Sequence, residues 1–243
     1  MSEVDPDAAS KELQSSEPQQ ILPATSRQRI FMGPDGLRAG WSLVIYCMIV
    51  GTCLTLLHFV ADAIHAYLRH GKPPTPAIHN RIFAPGPRIL QEIVLLLCVL
   101  LAAWIMSRIE KRPFGEYGLG GNSRRLPQFL QGFCWGFAFI SLLILGLYLG
   151  HYIVLTGFLL HGLSALKYAL AWMVFFLLVG VFEEFFFRGY IQFTLARGIG
   201  YGAVGFWISA IVWNFGFGFV HGNNPGESPI GVFQAGFIGL IFC

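Results

Sequence analysis

Charge is what this chain has least of. Only 12% of its 243 residues are Asp, Glu, Lys or Arg, and 55% are hydrophobic. A soluble domain carries about 25% charged residues, so composition excludes a water-soluble globule and indicates an integral membrane protein. The net charge is only +3, and no basic cluster is interleaved with aromatics, so no nucleic acid partner is expected. Cysteine is scarce as well. Cys47, Cys53, Cys98, Cys134 and Cys243 lie in apolar runs without CxxC spacing, which implies neither a disulfide framework nor a thiolate metal site. They read as small membrane-facing packing residues. The N-terminus lacks a basic stretch followed by an apolar one, so it is not a signal peptide. Residues 1–28 hold five acids against Lys11 and Arg27, amid Ser, Gln and Pro, and read as a disordered cytoplasmic tail.

Long apolar runs are what the chain does have. They fall near Trp41–Val60, Ile89–Met106, Phe129–Leu149, Tyr168–Phe187 and Tyr201–Val220. Each is close to the ~20 residues that a bilayer-crossing helix needs. A sixth starts near Pro229 and stops at Cys243, too short to span, as in a truncated gene product. The expected fold is an all-α, polytopic helical bundle with five full spans and a truncated sixth. Three regions follow: the tail at 1–28, a region at 29–128 with two spans and a basic loop, and a membrane core at 129–243. Arg108, Lys111, Arg112, Arg124 and Arg125 make the second connection the most basic, and Arg27, Arg29 and Arg38 precede the first span. Both facts favour a cytoplasmic N-terminus and second loop, though Arg69, Lys72, Arg81 and Arg88 dilute the contrast. Phe114–Gly121 reads as an interfacial turn. The expected location is a multi-pass position in a membrane, with lipid as the surrounding partner.

Against this background the few charges stand out. Between Leu126 and Cys243 they are Lys167, Glu183, Glu184, Arg188, Arg197 and Glu227, three of them inside V-F-E-E-F-F-F-R-G-Y. Ionisable groups within a span cost ~2.5 kcal/mol or more each and mark functional sites; the plain alternative is a helix end solvated at the headgroups. On a helix Glu184 and Arg188 share a face in the favourable acid-first order, while Glu183 points about 100° away. Arg188 can hold one carboxylate while the other faces a cavity as a general base. The next run ends W-N-F-G-F-G-F-V-H, with Asn214, Phe217 and His221 on nearly one face. Gly198, Gly200 and Gly202 mark the intervening turn. Glu183 lies roughly 22 Å before it and His221 roughly 28 Å after it, at ~1.5 Å per helical residue. Antiparallel packing then sets acid and imidazole at similar depth, and imidazole, carboxylate and water are the usual parts of a hydrolytic zinc site. Asn214 could support the imidazole or bond between helices. Lys167 and Arg197 are expected to snorkel to headgroups, Asp62 and Glu92 to be solvated at span edges, and Phe185, Phe186 and Phe187 to face lipid or line a lipid groove.

Glu183–Arg188 resembles the EExxxR motif, and Phe217–His221 the FxxxH motif, of the CPBP family of intramembrane metalloproteases, which includes CAAX prenyl endopeptidases and Abi-like bacterial proteins. H-G-N-N-P-G-E-S-P and Q-A-G-F-I-G-L after it also resemble bacterial members, which implies a bacterial inner membrane. The resemblance covers about Tyr168–Cys243. It implies a peptide-bond hydrolase acting in or near the bilayer on a peptide or lipidated protein. Glu183 would activate water and His221 would bind zinc, with Glu184 and Arg188 supporting the site and Phe217 and Asn214 in its second layer. The family's third motif, HxxxN or HxxxD, is absent here, so a zinc site would be incomplete in this chain. His58, His65, His70, His79, His151 and His161 lie by other connections and do not replace it. The competing readings are a non-catalytic immunity or scaffold protein that keeps the fold, and a transporter using the carboxylates as a proton relay.

Overall fold

A computed structural model describes residues 30–33, 36–68, 84–118, 125–200, 202–224 and 226–241. The expectations for the tail at 1–28, for Arg29, Arg69, His70, Lys72, His79, Arg81 and Arg124, and for Cys243 fall outside the described residues. Met1–Arg38 and Ala39–Cys243 are separate compact units. In the first, β1 (Met32–Gly33) pairs antiparallel with β2 (Gly36–Leu37), a small addition to an otherwise helical chain. Gly36 takes a φ of 101°, a conformation open to glycine.

The second unit holds the helices: α1 (Ala39–Leu68), α2 (Pro85–Glu110), α3 (Arg125–Leu149), α4 (Gly162–Glu183), α5 (Phe193–Ile199), α6 (Ala203–His221) and α7 (Pro229–Ile241). A π-helix, Glu184–Gln192, joins α4 to α5 without a break. Among the described residues, five helices are therefore long and apolar enough to cross a membrane: α1, α2, α3, the continuous Gly162–Ile199 rod and α6. The chain is an integral, multi-pass membrane protein. The fourth span runs beyond the 168–187 read from hydropathy, because amphipathic residues on both sides continue the helix to the turn at Gly200, where φ is 122°.

Packing is carried by small residues and aromatics. Ala102 and Ala103 of α2 are fully buried, as are Tyr46 of α1 and Tyr190 of the π-helix, whose rings stack 3.8 Å apart. Small residues let membrane helices approach closely where no hydrophobic force acts between helix and lipid. The Cys53 and Cys98 thiols touch across α1 and α2 at 3.0 Å, so they pack between helices, and Cys98, which is buried, does not face the membrane, contrary to expectation. By contrast α3 leaves nearly all of its apolar surface exposed, as lipid requires.

Two further expectations are corrected here. Arg197 does not snorkel. Its side chain is 5% exposed and binds the Glu110 carboxylate, itself 2% exposed, at 3.1 Å, while a second amino group reaches Ser42 Oγ at 3.2 Å. Tyr117 and Tyr190 donate their hydroxyls to the same carboxylate at 2.9 and 3.2 Å. A buried charge is tolerated only when paired and hydrogen-bonded, and this one is both. The turn Phe114–Glu116 is likewise more than an interfacial bend. It delivers Tyr117 into the core, where burial and the Glu110 charge push the phenol pKa up. The second correction concerns the Phe triplet: Phe185 and Phe187 are 5% and 7% exposed, so these two do not face lipid, and Phe185 borders an apolar cavity, the other alternative the sequence offered.

Candidate active site

The Glu-Glu pair sits at the junction where α-helix becomes π-helix. One-turn π segments inside α-helices occur often at functional sites, because the wider turn re-aims side chains. Gly189 permits this one: a Cβ there would meet the Tyr117 carbonyl oxygen at 2.8 Å, so the loop after α2 presses directly on the π-helix backbone. The wider turn leaves Glu184 paired with Arg188, as the spacing suggested. The Arg188 Nη2 donates to the Gly239 carbonyl of α7 at 2.8 Å. Arg188 thus links Glu184 to α7.

Glu183 turns the other way, toward α6. Its Oε1 lies 3.7 Å from the Nε2 of His221, and the two side chains are similarly half-buried. His221 is the last residue of α6, and its Nδ1 lies 2.9 Å from the Phe217 carbonyl. A carbonyl can only accept, so the proton of that bond is on Nδ1, and Nε2 is the nitrogen that faces the carboxylate. A proton, a water or a cation can bridge an imidazole nitrogen and a carboxylate at this spacing. The Phe217 ring lies 4.3 Å from the imidazole and packs edge-on against Phe187 at 5.0 Å, closing one side.

Asn214 is elsewhere. Its amide donates to the Ala210 carbonyl at 2.8 Å, and its Oδ1 packs on Gly239. Seven residues return it to the face of His221 but two turns away, about 10 Å along the axis. Residues this far apart do not touch, so the structure places Asn214 at the α6–α7 contact. The carbonyl of Phe217 takes the position beside the imidazole.

Among the described residues no group of three His, Cys, Asp or Glu side chains converges to hold a metal. Glu183 and His221 are spaced as two donors could be around one ion, since tetrahedral zinc ligands lie roughly 3.3 Å apart at ~2.0 Å bonds. A catalytic zinc takes three protein ligands. The residues described here therefore do not by themselves hold one.

A cavity of about 760 Å³ is lined by Leu96, Leu100, Phe129, Leu177 and Phe185, together with Glu184 and Arg188. No motif announced it, because its walls come from α2, α3, α4 and the π-helix together.

Residues 164–243 match the family model for type II CAAX prenyl endopeptidase Rce1-like proteins. The match covers about a third of the chain, and that region is similar to these proteins. The match contains both EExxxR and FxxxH and stops short of the first three spans. Neither the curated proteins nor the solved structures contain a match to the chain.

Proposed function

We propose that this CAAX-type chain is an intramembrane endopeptidase in which Glu183 is the general base. The observation that carries the reading is the meeting of Glu183 and the Nε2 of His221 at 3.7 Å, from two helices and inside the matched region. Glu183 would take the proton of the attacking water and pass it to the leaving amine. Arg188 keeps Glu184 paired and so leaves Glu183 as the one carboxylate facing the imidazole. His221 presents the donor atom that zinc would use. Zinc, when bound, would supply a Lewis acid and a more acidic water, but its remaining ligands are not among the described residues, so the proton transfer rests on Glu183. The substrate would be a peptide carrying a lipid or prenyl group. The apolar cavity beside Glu184 offers such a chain a hydrophobic wall within the bilayer.

The incomplete donor set favours one other reading, a non-catalytic family member. Cleavage of a prenylated peptide by the full-length protein in proteoliposomes separates the two. Glu183→Gln should lower that cleavage by about 10²–10⁴-fold, the usual contribution of a general base. Wild-type rates from the Gln variant would remove Glu183 from the mechanism, and an inert wild-type protein would favour the non-catalytic reading.

A further inference from the structure

The C-terminal end of α2 holds a second hollow, well separated in sequence from the acid–imidazole pair. It measures about 570 Å³ and is lined by Trp104, Ser107, Arg108, Lys111, Arg112 and Phe114, with Pro113 at its edge. Three of these residues are cationic, and no acid is among the lining groups. The nearby carboxylates are already engaged. Glu110 is held by Arg197, Tyr117 and Tyr190, and Arg112 lies 3.6 Å from Glu116 and 3.9 Å from Glu110. Arg108 and Lys111 have no acidic partner among the described residues. Arg108 lies instead over the Trp104 ring, 5.3 Å from its centroid.

Position in the membrane narrows the ligand. A helix of 26 residues is about 39 Å long, and the hydrocarbon core is about 30 Å thick, so the last turn of α2 reaches headgroup level. Trp104, one turn earlier, sits where aromatic belts form. Lys111 caps the helix in a left-handed conformation, with φ of 55°. Glycine is the usual residue there; the lysine's charge is carried into the hollow at a position where backbone economy favours no side chain.

We infer that this hollow seats the phosphate of an anionic membrane lipid. Arg108 and Lys111 bind the phosphate oxygens, and Trp104 and Phe114 pack on the glycerol and the upper acyl chain. Basic pockets at this level are suited to such headgroups, and the site is independent of the protease reading.

The test measures affinities for the first bound lipid on the intact protein, by native mass spectrometry from nanodiscs containing phosphatidylglycerol and phosphatidylcholine. Each cation at an anionic surface contributes ~1 kcal/mol, and 1.4 kcal/mol is tenfold, so Arg108→Gln with Lys111→Gln should reduce the preference for phosphatidylglycerol about thirtyfold. The charge-keeping pair Arg108→Lys with Lys111→Arg should hold it within a few-fold, which separates lost charge from lost fold. Retention of the lipid in excess inorganic phosphate supports a lipid site. An undiminished preference in the Gln pair, or displacement of the lipid by inorganic phosphate, would overturn the proposal.

Discussion

His221 ends α6 with one ring proton committed to the Phe217 carbonyl, and that bond decides what the other nitrogen can do. Orienting one imidazole nitrogen through a hydrogen bond on the other is how proteins prepare a histidine for a metal or a proton. If His221 is a ligand, His221→Ala in the full-length protein should lower the bound zinc measured by elemental analysis, and unchanged zinc would refute the role. Glu183 and Glu184 are adjacent yet differently employed, one toward α6 and one toward Arg188. The second pairing was legible in the spacing, because four residues of any helix bring acid and base to one face. The first was legible only through depth, counted outward from the glycine turn. The sequence left Asn214 between supporting the imidazole and bonding between helices, because periodicity reports the face of a helix and ignores distance along it.

At the scale of elements, the ties that fasten one helix to another are polar at one end and glycine-lined at the other. Glu110 of α2 and Arg197 of α5 form a buried pair shared with two tyrosines. Breaking such a pair strands a charge and costs about 3–5 kcal/mol, whereas replacing both partners with apolar residues is often neutral. Glu110→Ala should therefore lower the thermal midpoint in detergent sharply, and Glu110→Leu with Arg197→Met should restore much of it. Equal losses in the single and double variants would contradict this account. At the other end, α7 rests on α6 through glycines: a Cβ on Gly218 would strike the Val232 carbonyl, and one on Gly236 would lie 2.9 Å from the Asn214 carbonyl. Gly218→Val should push α7 away at a cost of about 1–3 kcal/mol. The readout is faster proteolysis of the 222–241 region, and an unchanged digestion rate would count against close packing there. The π-helix belongs to this scale too. Nothing in E-F-F-F-R-G-Y-I-Q distinguishes a π turn from an α turn; a carbonyl from the loop after α2, pressing on Gly189, goes with the wider turn.

Over the whole molecule, five apolar helices make the bilayer part of the structure, and the exposed apolar length of α3 has water-free surroundings as its natural partner. The protein should remain in the membrane pellet after an alkaline carbonate wash; release into the supernatant would show that the helices do not span. Membrane residence, helix count, the glycine turn and the acidic motif could all be read along the chain, because each depends on neighbours within a few turns: a run of apolar residues, a break, an i to i+4 pair. The Glu110–Arg197 tie joins residues 87 apart, and the cavity beside Glu184 gathers its walls from several elements. Those were decided by tertiary structure alone, since a buried charge selects its partner by proximity after folding and leaves no local pattern to announce the choice.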